Sequence, residues 1–224
     1  MDDFKADLKG VIFDLDGVLV NTVDLHFYAW QRLFAELGIA FTRAEMDDFR
    51  GIHQRQILAV YASHLSETQI VDCLKRKANY YRQLLAAAQE SIAYAPALRL
   101  LHEAKASGLK IGLASSSINA RHVLEIVHLN HLFDAIADGT TVCRSKPAPD
   151  IFVWVAGSLG LHPGEIVVVE DGAAGVEGAR LAGMFVVGIS VENAVPHLNL
   201  TMDTLSFEAI IAHVGKAEAA VSVS

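Results

Sequence analysis

Beyond residue 96 the chain alternates between short apolar runs and helix-forming stretches, and that alternation admits very few folds. Apolar runs at 110–115, 134–137, 165–169 and 185–189 are separated by segments of helical spacing at 98–107, 120–127, 150–159 and 174–181. Strands joined by crossovers of this length are βα units of a parallel sheet whose helices cover both faces. The run Val11-Ile12-Phe13 reads as a further strand of that sheet, buried on both sides. Between it and residue 96 there is no convincing strand. Thr22 is a candidate cap for a helix over 23–37 that Gly38 ends, and Thr42 with Glu45 fits a capping box. Gly51 breaks the chain, Ile57, Leu58 and Tyr61 mark another helix, and Ser66 with Gln69 opens a third that runs from 67 to about 89. The economical reading is an α/β core interrupted after its first strand by an all-helical insertion.

The 224 residues are 52% hydrophobic and 20% charged, enough apolar material for a full core and inconsistent with disorder. A formal net charge of -8 supplies no broad basic field, which argues against nucleic acid or an anionic membrane as partner. Any phosphate must therefore be bound by local groups. The N-terminus is polar and acidic where a signal peptide would be basic then apolar, and no run approaches the roughly 18 apolar residues of a membrane span. A cytoplasmic protein is expected, with Cys73 and Cys143 as free thiols.

In open parallel sheets ligands bind beyond the carboxyl ends of the strands, so the polar residues that follow each run matter most. The first run ends in Asp14 and Asp16, followed by Gly17 and a second apolar group, Val18-Leu19-Val20. Strand alternation points both acids the same way, and the glycine indicates a strand end, which sets both on the carboxyl rim. Two carboxylates beside so much apolar surface raise each other's pKa unless a cation or a proton relay uses them. Capping a turn or the next helix would need only one aspartate.

The next run leads into Ser115-Ser116-Ser117, the loop before Pro147 holds Lys146, and Val167-Val168-Val169 leads into Glu170 and Asp171. Carboxylates from two strands suit a hard divalent cation. Mg²⁺ fits best, because it accepts a few carboxylates and keeps places for water and phosphate. Serine hydroxyls and backbone N–H groups that open a helix suit phosphate oxygens, and a lysine adds a point charge. Taken singly, the serines serve equally well as helix N-caps, Lys146 as a solvated loop lysine, and Glu170-Asp171 as caps of the helix near Ala173. At successive strand ends they form a coherent set for one phosphate.

The segments FDLDGVL, LASSS, SKPAPDIF and VVVEDGAAG occur in that order, and together they resemble the four motifs of the haloacid dehalogenase-like superfamily of phosphotransferases. The resemblance covers nearly the whole chain. It implies a Rossmann-like parallel-sheet core over 1–19 and 93–224, with an inserted all-α cap domain over 20–92. Within the superfamily, LDGVLVNTVDLHFYAW, KRKANYY and FDAIAD look most like the β-phosphoglucomutase branch. The resemblance then implies Asp14 as nucleophile, forming an aspartyl phosphate, and Asp16 as general acid and base. Mg²⁺ would be held by Asp14, the backbone carbonyl of Asp16 and Asp171, with Glu170 beside it, while Lys146 and Ser115 neutralise and position the phosphoryl group. His26 stands where a cap histidine steadies the acid, and Trp30 matches a sugar-side aromatic, although both residues also suit plain packing.

The implied activity is interconversion of β-glucose 1-phosphate and glucose 6-phosphate through a bisphosphate, in a monomer that takes glucose 1,6-bisphosphate as phosphodonor. The alternative is a Mg²⁺-dependent sugar phosphatase of the same fold. A mutase must also hold a second phosphate away from the nucleophile, and here the sequence departs from the family. The family uses an arginine after a cap glycine and a serine-lysine-asparagine run after the second motif. Gly51 is present, but the aligned position is Gln54 with Arg55 beside it, and the run reads Ser117-Ile118-Asn119, preceded by Ser116. Arg50, Arg55 and Arg121 are the available substitutes. Lys77 is retained, whereas the asparagine expected after it is Ala78. The plain reading of Lys75-Arg76-Lys77 is a solvated helix face.

Overall fold

Strand β1 (Gly10–Phe13) is the axis of the structure, a computed structural model that describes residues 8–48, 54–190 and 200–212. Its four residues are all buried, and it is paired in parallel on both sides. On one side lie β2 (Lys110–Ala114) and β3 (Ala135–Ala137). On the other lie β4 (Ile166–Glu170), β5 (Phe185–Ser190) and β6 (Leu200–Thr201). The order β3-β2-β1-β4-β5-β6 is that of a doubly wound sheet, and the chain changes direction between β1 and β4. In doubly wound sheets ligands bind at such a switch point, beyond the carboxyl ends of the strands.

The chain divides into two compact units, Met1–Asn21 with Ile92–Ser224, and Thr22–Ser91. In the sheet unit, Ile12, Ala114 and Val168 pack with Ile151, Phe152 and Val155 from α7 (Asp150–Leu159) in one buried cluster. Helices α5 (Ala95–Ala106), α6 (Ala120–Ile126) and α8 (Ala173–Leu181) supply the other crossovers. The second unit is built from α1 (Val23–Glu36), α2 (Arg43–Asp48), α3 (Gln54–Tyr61) and α4 (Glu67–Ala88). Its core is aromatic: Phe34 lies 5.2 Å from Trp30, 5.0 Å from Phe41 and 5.1 Å from Tyr61, measured between ring centroids.

Most elements match the pattern reading to within a residue or two, and the exceptions have local causes. Helix α5 starts at Ala95 rather than 98, because Pro96 sits comfortably in a first helical turn. Strand β4 takes in Glu170, which pairs with Gly188 of β5, so that this carboxylate ends the strand instead of following it. Strand β6 was missed because two residues carry no periodicity. Thr22 occupies the N-cap position of α1 without a side-chain cap bond. By contrast, Thr42 and Glu45 close their capping box, with Thr42 N donating to Glu45 Oε2 at 2.6 Å, and Ser66 and Gln69 do the same, with Ser66 N donating to Gln69 Oε1 at 2.8 Å. Gly51 and Arg50 lie outside the described residues. Both cysteines are free thiols, Cys73 buried and Cys143 exposed. Among the described residues no helix is long and apolar enough to cross a membrane.

Candidate active site

Asp14 is the first residue beyond β1, and its backbone N–H still donates to Val169 O of β4 at 2.9 Å, which holds the two strand ends side by side. The chain then folds into a tight turn, with Gly17 N donating to Val20 O at 2.8 Å and Leu19 N to Leu15 O at 2.9 Å. Leu15, Val18, Leu19 and Val20 are fully buried in that turn, so the second apolar group of the motif anchors the loop that carries the acids. Gly17 has φ +92°, and a Cβ there would overlap the Asp171 carboxylate. A glycine at this point of the motif therefore serves both the turn and the approach of a second strand's acid.

Lys146 reaches the switch point from the loop after β3. Its Nζ donates to Asp14 Oδ1 at 2.6 Å, Glu170 Oε2 at 2.7 Å and the carbonyl of Ala114, the last residue of β2, at 3.0 Å. All three ammonium protons are thus used, and the side chain is 8% exposed above the Phe152 ring. Burial alone would lower the lysine pKa, but the charges of Asp14 and Glu170 outweigh it and push it above the ordinary value. Glu170 moves up to about 7, because burial and the Asp14 charge disfavour its ionised form more than Lys146 favours it. Gly172 N donates to Glu170 Oε1 at 3.2 Å, and a Cβ at Gly175 would collide with the same carboxylate.

Asp14, Glu170 and Asp171 each offer a carboxylate oxygen, all within 4.8 Å of one another. The Lys146 ammonium faces Asp14 and Glu170 of this group, where water is largely excluded. The donor set, carboxylate oxygens only, is that of a hard divalent ion and fits Mg²⁺. Asp16 is half-buried in the turn after β1.

Beside them stands the loop after β2. Ser115 is fully buried, and its backbone N–H donates to Ala137 O at 3.0 Å. Its hydroxyl accepts from Ser117 N at 3.1 Å, and the Ser117 hydroxyl accepts from Asn119 N at 3.2 Å. Ser116 is exposed, while Ser117 and Asn119 are half-buried. Lys146 is not a solvated lysine, and Glu170 does more than cap a helix: strands β1, β2 and β4 and the loop after β3 bring Asp14, Ser115, Lys146, Glu170 and Asp171 to one edge of the sheet.

Within the helical unit, the Lys77 ammonium donates to His26 Nδ1 at 2.8 Å. Neutral His26 therefore carries its proton on Nε2. The imidazole stacks on Tyr81 with centroids 4.3 Å apart, and Lys77, 2% exposed, also lies 5.2 Å from the Trp30 ring. Burial and the neighbouring ammonium hold the His26 pKa well below the ordinary imidazole range. The solvated-face reading of Lys75-Arg76-Lys77 thus fails at Lys77. Trp30, 1% exposed, belongs to the aromatic core.

Two of the three substitutes for a distal arginine, Arg55 and Arg121, are engaged by nearby groups. Arg55 pairs with Glu67 at 2.6 Å on the surface of the helical unit, beside an exposed Gln54. Arg121 Nε donates to Asp138 Oδ2 at 2.9 Å, and its NH2 nitrogen donates to Ile136 O at 2.7 Å. Asp138, buried at the end of β3, was overlooked by the strand-end rule, although it follows an apolar run and lies within the FDAIAD segment.

The chain belongs to the haloacid dehalogenase-like hydrolases, whose family model matches residues 11–189. Among its relatives, β-phosphoglucomutase of Bacillus subtilis is 36% identical over 188 residues, which cover 81% of this chain and 83% of that protein. Fructose-1-phosphate phosphatase YqaB of Escherichia coli is 28% identical over 181 residues, covering 80% and 95%. The crystal structure of β-phosphoglucomutase from Clostridium difficile matches with a TM-score of 0.82 at 30% identity, over 95% of this chain and 99% of that one.

Proposed function

We propose that the protein is a β-phosphoglucomutase-type phosphotransferase that interconverts β-glucose 1-phosphate and glucose 6-phosphate. The buried cluster in which Lys146 bridges Asp14 and Glu170 beside Asp171 supports the phosphoryl-transfer chemistry, and the 36% identity to the Bacillus subtilis β-phosphoglucomutase favours the mutase. Asp14 is the phosphoryl acceptor. Its Oδ2 oxygen is not the one bonded to Lys146, and attack on phosphorus forms an Oδ–P bond as the bond from phosphorus to the sugar oxygen breaks. Asp16 gives a proton to the departing sugar oxygen and takes one from the hydroxyl that attacks the aspartyl phosphate. When Mg²⁺ is bound at Asp14, Asp171 and the Asp16 carbonyl, with Glu170 beside them, it supplies charge neutralisation for the phosphoryl oxygens. Lys146 offsets the same charge and the Ser115 loop receives phosphate oxygens.

His26 is assigned as a neutral hydrogen-bond donor of the helical unit. Lys77 occupies Nδ1 and burial disfavours the imidazolium, so the ring offers a neutral Nε2–H, the form a carboxylate accepts from. The phosphodonor is glucose 1,6-bisphosphate, and the protein works as a cytoplasmic monomer.

A second reading, a Mg²⁺-dependent sugar phosphatase, is favoured by one set of observations. Arg55 and Arg121 are engaged with Glu67 and Asp138, and Ile118 is 70% exposed where the family run carries a lysine. Phosphorus NMR separates the two readings, with Mg²⁺, β-glucose 1-phosphate and a trace of glucose 1,6-bisphosphate. Growth of glucose 6-phosphate with little free phosphate is the expected result. Inorganic phosphate as the main product would replace the mutase by the phosphatase.

A further inference from the structure

The loop after β2 owes its shape to the turn after β3. Asp138 follows β3 directly and is 6% exposed, and its carboxylate gathers four donors. Oδ1 accepts from Thr140 N at 2.9 Å, Thr140 Oγ1 at 2.6 Å and Thr141 Oγ1 at 3.3 Å, while Oδ2 accepts from Arg121 Nε at 2.9 Å. The backbone N–H of Asp138 donates to Thr141 Oγ1 at 2.9 Å, and Thr141 N donates back to Asp138 O at 2.9 Å. The turn 138–141 is therefore closed by its own first residue, and Arg121 ties that residue to α6.

The turn carries Gly139, and Gly139 is pressed against the Ser115 loop. Its N–H donates to Ser117 O at 3.1 Å. A Cβ on Gly139 would collide with the Ser116 carbonyl and would come within 3.0 Å of Ile118 N. One face of the Ser116–Ile118 backbone is thus set by the position of Gly139, which in turn is set by Asp138. Despite its burial, the Asp138 carboxyl is kept below the usual carboxylate range by Thr140 and Arg121, so the charge that organises the turn persists at neutral pH.

We infer that Asp138 is a positioning residue of the phosphate site: by fixing the turn that carries Gly139, it holds the Ser115–Ser117 backbone where phosphate oxygens are received. The inference rests on the reading of this loop as the phosphate site. Asp138 is not a member of the Asp14–Glu170–Asp171 cluster. It acts through Gly139, as supporting groups act on the geometry of groups that bind.

The test is calorimetric titration of the wild-type protein and Asp138→Ala with inorganic phosphate in the presence of Mg²⁺, alongside thermal melts and steady-state kinetics on the sugar phosphate. Phosphate Kd is expected to rise about tenfold, the equivalent of about one hydrogen bond. The KM should rise with it, while kcat stays within about threefold, a split that general destabilisation would not produce. Asp138→Asn, which keeps an acceptor for Thr140 N but loses the charge for Arg121, should fall between the two. If Asp138→Ala does not fold, Thr140→Ala at an exposed position decides, with an expected rise of about twofold to threefold in Kd. A folded variant that binds phosphate as the wild type does would overturn the inference. Wild-type protein that binds no phosphate would overturn the phosphate-site reading and this inference together.

Discussion

Among the described residues each unit buries one lysine side chain, and the two lysines act in opposite directions on their neighbours. Lys146 sits among Asp14, Glu170 and the Ala114 carbonyl, so its own pKa is driven up. Lys77 donates to the imidazole of His26 and, after burial, is the second cause that drives that group's pKa down. A buried cation beside carboxylates maintains a place where more negative charge can be accepted. A buried cation beside a base fixes that base as neutral and selects its tautomer. The sheet unit is thus organised for phosphoryl charge, and the helical unit holds a neutral hydrogen-bond donor.

The largest effect is expected at the acceptor of the sheet cluster. Asp14→Asn keeps the shape and removes the nucleophile, and turnover should fall by about four orders of magnitude or more in a steady-state assay. A loss smaller than tenfold would contradict the assignment. Next comes Lys146→Met, which leaves Asp14 and Glu170 buried without their cation. It should destabilise the fold by about 3–5 kcal/mol in denaturant titration as well as abolish turnover. Wild-type stability in this variant would show that the cluster is not the buried ion group described here.

In the helical unit the effects are smaller and concern titration. Lys77→Met should raise the His26 pKa, seen by NMR of the ring protons. The rise should be only part of the way to the ordinary value of about 6.5, because burial is the larger cause. A pKa unchanged or lower would break the contrast between the two lysines.

The same shift makes stability depend on pH. Folded His26 binds a proton less readily than the unfolded chain does, so its stabilising contribution is complete above about pH 6.5 and is lost as the pH falls towards its lower folded pKa. Melting temperatures followed from about pH 7 to pH 5 should fall more steeply for the wild type than for His26→Asn. Equal slopes would remove His26 as the cause.

The contrast also separates what was legible in the sequence from what was not. The sheet site could be read because strand ends are local: an apolar run followed by Asp14, Ser115 or Glu170 places each residue at one edge once the strands are parallel. Lys146 could be placed only through its position before Pro147, since its partners lie 132 and 24 residues away. In the helical unit, helical spacing gave the core, but not that Lys77 turns inwards while Arg76, one residue before it, pairs with Glu36 on the surface. Residues 51 apart met there, and nothing in the periodicity of KRK announces which basic residue faces His26. Asp138 was missed for another reason. Its hydrogen bonds run mostly to its own turn, and a short polar residue after a strand reads as ordinary turn chemistry. The fates of Arg55 and Arg121 were set by neighbouring acids that sequence position alone does not rank.

The most direct test of the account is intact-mass measurement of the protein after brief exposure to glucose 1,6-bisphosphate with Mg²⁺, followed by rapid acid quench. The wild type is expected to gain the mass of one phosphoryl group on the peptide that contains Asp14, and Asp14→Asn is expected to gain none. A phosphoryl group found elsewhere, or equal labelling of the variant, would contradict the claim that the Asp14–Lys146–Glu170 cluster is a phosphoryl-accepting site.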